Sequence, residues 1–152
     1  MTDAMPPRTP PLRDRVSFLV HRINAHLLRM TNPKLKVWDI DLTESRLLVS
    51  LLENGPMPAG DIVRLMALPQ STISHQLKRL EKRGYVQRTP GEHDSRVIIA
   101  ELTARGRQVA LEANALSREV TDLLVAALGQ DNLEELRGAM KRIDDALAPK
   151  AR

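Results

Sequence analysis

The stretch Leu68–Leu102, which reads LPQSTISHQLKRLEKRGYVQRTPGEHDSRVIIAEL, decides the fold. Its first half has the periodicity of a helix with two different faces. One face is an apolar stripe, because Ile73, Leu77 and Leu80 recur at spacings of four and three residues. The opposite face is polar and basic. It consists of Ser71, Ser74, His75, Lys78 and Lys82.

The second half of the stretch predicts a β-hairpin. Gly84 stands where a helix ends, and β-prone runs follow at residues 85–88 and 96–102. A polar tip at residues 90–95 joins the two runs. A helix with a basic polar face, followed by a basic hairpin, suits the major groove of DNA and an adjacent backbone or minor groove.

Composition narrows the class of protein. A chain of 152 residues forms one domain or one compact two-part unit, and its abundant Leu, Ala, Glu, Lys and Arg favour helix. The absence of cysteine excludes disulfides, thiolate metal sites and thiol-based redox sensing. The sequence has no apolar run near the roughly 20 residues of a membrane span and no apolar signal core. We therefore expect a cytoplasmic protein without a membrane partner.

The excess positive charge is concentrated in the helix–hairpin region. Residues 69–107 contain eight Lys or Arg against four Asp or Glu, which accounts for the whole net charge of +4. Such a concentration is typical of a protein with an anionic partner such as nucleic acid. A merely solvated charged face is the alternative interpretation.

The flanking segments predict a larger helical assembly. Residues 1–11 carry four prolines and indicate a disordered arm, and an amphipathic helix follows over 12–33, stopped near Pro33. A linker at 34–42 precedes a helix that we expect Thr43 to cap. Residues 42–102 form the predicted winged helix-turn-helix, and Thr103 caps the first of two helices in 103–148. Regions 12–33 and 103–148 contain more apolar side chains along their helices than one small core can bury. We therefore predict that both regions form the interface of a dimer.

These residues resemble the winged-helix core of MarR-type bacterial transcription regulators over about residues 42–106. The resemblance rests on three sequence features. They are STIS followed by LKRLEKRGYVQR, the pair Asp94-x-Arg96, and Leu102-Thr103 ahead of Gly106. It implies a mainly α fold with a small β wing, in which flanking helices form a homodimer. It also implies binding to a pseudo-palindromic operator, repression, and release of DNA by a small, commonly aromatic, ligand.

The resemblance assigns a set of DNA-binding residues. Arg96 matches the wing arginine that enters the minor groove, and Asp94 matches the acid that steadies it. The wing tip has fewer arginines than is common in the family, and cysteine-based peroxide sensing is excluded. The recognition-helix residues are Gln70, Ser71, Thr72, Ser74, His75, Lys78 and Arg79, and the predicted set also includes Arg88.

Each assignment has a simpler alternative. The hydroxyls of Ser71, Thr72 and Ser74 could cap the first turn of the helix, and His75 could be a solvated surface residue. Asp94 could be an ordinary turn residue. However, its spacing of two residues from Arg96 puts both side chains on the same side of an extended strand, where they can pair.

A possible ligand pocket involves His21, His26, Trp38 and Arg46, where Arg46 could receive a carboxylate bidentately. The alternative is that Trp38 packs the linker and Arg46 lies on the surface. The two histidines are five residues apart, about 140° around a helix, whereas a zinc pair uses a spacing of four. We therefore expect no metal and no cofactor.

The sequence contains no recognisable catalytic motif, such as a phosphate loop, a nucleophile elbow or a zinc helix. We therefore predict that the protein is not an enzyme. The preferred interpretation is a ligand-responsive dimeric repressor. An activator or anti-repressor without a ligand, and a helical adaptor that binds an acidic protein, are the alternatives.

Overall fold

A computed structural model of the chain describes residues 9–150, and within them it is mainly α-helical with one small β-sheet. This confirms the predicted fold class. The helices are α1 (Val16–Leu35), α2 (Leu42–Asn54), α3 (Ala59–Met66), α4 (Gln70–Lys82), α5 (Ala104–Leu128) and α6 (Gln130–Leu147). The strands are β1 (Met57–Pro58), β2 (Val86–Pro90) and β3 (Ile98–Leu102). Short 3-10 helices lie at Leu12–Asp14 and Lys36–Trp38.

The chain divides into two compact units, one up to Ala110 and one from Leu111 onwards. The first unit contains α1 to α4, the sheet and the start of α5. The second contains the rest of α5 and α6. The predicted disordered arm falls mostly on residues 1–8, which lie outside the described residues, and Thr9–Pro11 are exposed.

The core of the first unit is aliphatic and lies between α2, α3, α4 and the sheet. The three apolar positions that the sequence predicted for α4 are each 1% exposed or less, which confirms the two-faced helix. The fully buried side chains of this core are Leu47, Leu48, Ile62, Ile73, Leu77, Leu80 and Val86.

The sheet has three antiparallel strands in the order β1-β3-β2. Strands β2 and β3 form the predicted hairpin, with Val86 opposite Leu102 and Pro90 opposite Ile98. Pairing starts at Ile98 rather than at Arg96, so the wing tip spans residues 91–97. Strand β1 was not predicted, because a strand of two residues is too short to show an alternating pattern.

Helix α1 is shifted relative to the prediction. It begins at Val16 rather than at residue 12, because Leu12–Asp14 form a separate 3-10 helix. It continues through Pro33 and ends at Leu35, whereas the sequence analysis stopped it at residue 33. Leu35 is 1% exposed, so burial of its side chain supports the extra turn against the local preference of proline. The side chain of Asn32 accepts a hydrogen bond from the N–H of Leu42, at 2.8 Å, and fastens this end of α1 to the start of α2.

Asp41, not Thr43, caps α2. Its Oδ1 accepts from the N–H of Glu44 at 2.8 Å, and its own N–H donates to Glu44 Oε2 at 3.2 Å. This reciprocal arrangement is a capping box. The prediction of Thr43 was wrong because α2 begins at Leu42, so Asp41 is the residue before its first turn.

The second unit carries an apolar row that faces solvent in the single chain. In α6, Leu133 is buried, whereas Leu136, Met140 and Ile143 are about 40% exposed. In α5, Leu123 is 54% exposed. Among residues 9–150, no helix has the length and apolarity needed to cross a membrane.

Candidate nucleic-acid interface

Helices α3 and α4 form a helix-turn-helix. The turn between them passes through Ala67, whose φ of 52° lies in the left-handed region, and through Pro69, whose extended backbone precedes α4. A short helix, a tight turn and a second helix with a free polar face are the elements of this DNA-binding motif. The structure thus places α4 where a recognition helix is expected.

The predicted DNA-contacting residues of α4 lie on its solvent-facing side, where all but half-buried Thr72 are exposed. Gln76 is buried, at 8% exposure, although it is polar, and the sequence analysis gave no indication of this. The exposed predicted residues are Gln70, Ser71, Ser74, His75, Lys78 and Arg79.

The first turn of α4 has no side-chain cap. Pro69 is the N-cap residue, and no side chain there accepts a hydrogen bond from the helix. The alternative that Ser71, Thr72 and Ser74 serve to cap the helix is therefore not supported by the structure. The backbone N–H groups of the first turn remain donors, which suits a DNA phosphate at this end of the helix.

At the wing tip Asp94 pairs with Arg96, as predicted, but not for the predicted reason. Both residues lie in the turn of the wing and not on an extended strand, so Asp94 is also the turn residue of the alternative interpretation. Asp94 Oδ1 accepts from the backbone N–H of Arg96 at 3.0 Å and from its Nε at 3.1 Å, and Oδ2 accepts from Nη2 at 3.3 Å. These hydrogen bonds from the Arg96 side chain, and then from its backbone, lower the pKa of the Asp94 carboxyl. The Arg96 side chain remains 90% exposed, so it is oriented yet free to meet another molecule.

Arg88 is less available for contact with DNA than predicted, because Glu81 binds it. Its Nη2 lies 2.8 Å from Glu81 Oε1, and its backbone N–H donates to Glu81 Oε2 at 3.0 Å. These contacts, the side-chain hydrogen bond first, lower the pKa of Glu81. The Arg88 side chain is 25% exposed and joins the wing to α4. Its contact with DNA remains a prediction.

The sequence analysis did not single out Glu44, which lies beneath α4. Its carboxylate is buried, with Oε1 at 3.4 Å from Arg79 Nη1 and 3.5 Å from Arg83 Nη1. Burial, followed by the nearby charge of Asp41, raises the pKa of Glu44, although the Asp41 N–H and the two arginines act in the opposite direction. The sequence offered the capping-box pattern Asp41-x-x-Glu44, but nothing in it indicated the contacts with the two arginines.

Tyr85 anchors the end of α4. Its hydroxyl donates to the Trp38 carbonyl at 2.7 Å, and the Arg105 guanidinium lies 5.4 Å from its ring centre. Gly106 passes so close that a Cβ built there would lie 1.7 Å from the Tyr85 carbonyl oxygen. Only glycine fits this position, which explains the glycine in the motif.

Thr103 completes this anchor, as the sequence predicted. Its Oγ1 accepts from the Gly106 N–H at 3.0 Å and donates to the Gly84 carbonyl at 2.6 Å.

We call Glu44, Arg79, Arg83, Tyr85 and Gly106 the base of the winged helix-turn-helix, because they fasten α4 to its neighbours.

The four residues predicted to line a ligand pocket are not joined in this structure. His21 and Arg46 are exposed, and His26 is half-buried and contacts the Arg29 side chain. Trp38 is half-buried in the 3-10 helix after α1. In the part of the chain that the structure describes, no hydrogen bond or ring contact links any two of the four, so their role remains a prediction.

Among residues 9–150, no group of three or more His, Asp or Glu is placed to hold a metal ion.

The fold and the interface define a winged helix-turn-helix DNA-binding regulator. A family model described as the MarR family matches residues 40–98. A solved structure described as a probable transcriptional regulator from Pseudomonas aeruginosa is 31% identical, covers 88% of this chain and 99% of its own, and has a TM-score of 0.77. The chain belongs to the MarR family of DNA-binding transcriptional regulators.

Two further solved structures share the fold. A variant of MarR from Escherichia coli complexed with operator DNA is 21% identical, with a TM-score of 0.76. It covers 84% of this chain and 92% of its own. BpsR from Bordetella bronchiseptica, whose DNA binding is regulated by 6-hydroxynicotinic acid, is 17% identical with a TM-score of 0.81. It covers 91% of this chain and 99% of its own.

Proposed function

We propose that the protein is a cytoplasmic homodimeric repressor that binds a pseudo-palindromic operator and releases it when a small aromatic or carboxylate ligand binds. The observation that carries the proposal is the combination of an exposed polar face on α4 with a wing arginine that is already oriented by Asp94. A recognition helix suits the major groove, and a wing arginine suits an adjacent minor groove.

In this proposal the residues on the exposed face of α4 contact different parts of the DNA. Ser74 and His75 lie toward the N-terminal half of α4, from which recognition helices contact base edges. Lys78 and Arg79 supply charge to phosphates, which receive half to two-thirds of protein–DNA hydrogen bonds. The complex of E. coli MarR with operator DNA supports DNA binding by this fold.

The proposed dimer would cover the exposed apolar rows. Leu12, Val16 and Ile23 in the first unit are each more than half exposed, as are Leu123 and Leu147 in the second. Large apolar side chains in such number are uncommon on the surface of a monomer. A homodimer also places two recognition helices at the half-site spacing that a palindromic operator demands, about 10–10.5 bp or a multiple of it.

Ligand release requires that the ligand bind the DNA-incompetent state more tightly than the competent one. Support for this part comes from BpsR, which shares the fold and is regulated by 6-hydroxynicotinic acid. An aromatic carboxylate is therefore the ligand class to test first.

The DNA-binding proposal is tested by selecting bound duplexes from a random pool and measuring the oligomeric state by sedimentation. We expect a dimer at micromolar concentration and a selected motif with two inverted half-sites. A monomer that binds a single half-site tightly would contradict the proposal.

The regulatory proposal needs two further measurements. Placed over a promoter, the selected operator should lower transcription when the protein is added. The fluorescence anisotropy of the labelled operator should fall with 6-hydroxynicotinic acid or benzoate, but not with benzylamine, the charge-reversed control. Increased transcription would instead favour an activator.

A further inference from the structure

The carboxylate of Glu44 occupies the contact between the first turn of α2 and the C-terminal half of α4. The residue is 1% exposed. Its Oε2 accepts from the Asp41 N–H, while Oε1 lies 3.4 and 3.5 Å from the Nη1 atoms of Arg79 and Arg83. One carboxylate therefore closes the cap of α2 and contacts both Arg79 in the last turn of α4 and Arg83, the residue that follows this helix.

The cap alone does not explain a buried charge. A capping box needs an acceptor at the position of Glu44, and a glutamine amide supplies one as well as a carboxylate does. A buried carboxylate loses its hydration and is tolerated when cations compensate for it. The negative charge of Glu44 thus acts on Arg79 and Arg83.

The two arginines differ in what they can reach. The Arg83 side chain is 19% exposed and also pairs with Asp39, at 2.9 Å. The Arg79 side chain is 45% exposed and follows His75 by one helical turn on the exposed face of α4. Arg79 is therefore the residue that can contact Glu44 on one side and a DNA phosphate on the other.

We propose that Glu44 is a positioning residue for DNA binding, which holds the Arg79 guanidinium in place so that it meets a phosphate already ordered. The inference rests on the proposed contact between Arg79 and DNA. The contact with Glu44 is an ion pair at 3.4 Å and not a hydrogen bond, so the five N–H donors of the Arg79 guanidinium remain available to a phosphate. Without Glu44 the long side chain must be immobilised when DNA binds, which weakens binding.

The test is a double-mutant cycle of Glu44→Gln, Arg79→Gln and the double variant. Each is titrated against a labelled duplex of random sequence at several salt concentrations. Arg79→Gln should weaken binding about 10-fold and reduce the salt slope by about 0.9, as loss of one phosphate contact does. Glu44→Gln should weaken binding about 3- to 10-fold, although it removes an acid near DNA. The double variant should match Arg79→Gln alone.

Glu53→Gln is the matched control, because it neutralises an exposed acid on the same helix. It should leave the affinity unchanged or slightly increase it. Tighter binding by Glu44→Gln, or losses that add in the double variant, would overturn the inference while the contact of Arg79 stands. No effect of Arg79→Gln would show instead that the contact itself is absent, and the inference would fail with it.

If Glu44→Gln does not fold by circular dichroism, Arg79→Lys keeps the proposal testable. A lysine retains the positive charge but concentrates it on one nitrogen, whereas the separate nitrogens of a guanidinium can face Glu44 and a phosphate at the same time. We expect weaker binding, about 3-fold or more, with the salt slope of the wild type. Affinity equal to that of the wild type would overturn the positioning role.

Discussion

The base of the winged helix-turn-helix and the tip of the wing both pair a carboxylate with arginine, but their surroundings differ. Glu44 is buried, and its pKa is raised despite two arginines within 3.5 Å. Asp94 lies at the surface, and the hydrogen bonds of Arg96 lower its pKa. At the base, the loss of hydration exceeds the attraction between opposite charges. At the tip, water still reaches both partners, so the pair forms at little cost.

The base and the tip should therefore contribute differently to stability and to DNA binding. The base is closely packed around Tyr85 and Gly106, so changes at these two residues should alter the free energy of unfolding. The tip contains few buried groups, so changes there should alter DNA binding and leave folding intact.

The largest effect is expected for Gly106→Ala. A Cβ at this position would lie 1.7 Å from the Tyr85 carbonyl oxygen, so α5 or the end of α4 must move. Forced overpacking of this kind should lower the free energy of unfolding by about 3 kcal/mol or more. Urea denaturation measures it.

The control for this change is Gly60→Ala, whose Cβ would lie 3.8 Å from the end of the flexible Arg64 side chain. Alanine should be neutral there, or stabilising by up to about 1 kcal/mol, because it favours helix. Equal stability of the two variants would show that the close approach at Gly106 does not constrain the base.

Arg96→Ala should have the next largest effect, and on DNA binding alone. An arginine at the wing tip suits a narrow A·T-rich minor groove, where the negative potential is enhanced. Affinity should fall about 10- to 100-fold on an operator with A·T-rich flanks, and less with G·C-rich flanks. Paired titrations on the two operators decide it, and an equal loss on both would exclude a role in the minor groove.

Asp94→Ala should weaken DNA binding about 2- to 10-fold, although it removes a negative charge. The freed Arg96 side chain must then be ordered on binding, which costs about 0.5–1.5 kcal/mol. Simple electrostatics predicts the opposite sign, because losing an acid beside DNA favours binding. Tighter binding by a folded variant would show that Asp94 does not orient Arg96 for DNA.

The contact between Asp94 and Arg96 at the tip was predicted from the sequence, whereas the contacts of Glu44 at the base were not. The contact between Asp94 and Arg96 is local, so their proximity in the sequence was enough to predict it, although a turn and not an extended strand brings them together. The two faces of α4 were predictable for the same reason, because helical periodicity is a local property.

The contacts of Glu44 were not predictable, because 35 and 39 residues separate it from Arg79 and Arg83. Nothing in the local pattern tells which arginine of a basic helix turns inward. The partners of Arg88 and the burial of Gln76 were missed for a related reason: both depend on how elements pack, whereas composition only indicates that such residues are usually exposed.

The smallest expected effect is on the pH dependence of stability, which should differ between the carboxylates of Asp94 and Glu44. The pKa of Asp94 is lowered from its ordinary value of 3.8, so its pair with Arg96 is fully present above that value and is lost as the pH falls through the lowered pKa. The pKa of Glu44 is raised from 4.5, by burial first and by Asp41 second, against the influence of Arg79 and Arg83. The folded chain thus holds this proton more tightly than the unfolded chain does. The cost of ionising Glu44 is absent below its ordinary pKa and is fully present above its folded pKa.

It follows that the wild type should lose stability relative to Glu44→Gln as the pH rises through that window, because glutamine does not titrate. Urea denaturation of both proteins at each pH isolates this difference, since the remaining groups are common to the two chains. The same series with Glu53→Gln, which alters an exposed carboxylate on α2, should show no comparable trend. If the stability difference between wild type and Glu44→Gln instead grew in favour of the wild type with rising pH, the arginines would outweigh burial at the base. The contrast between base and tip would then disappear, because ionisation of either carboxylate would stabilise the folded chain.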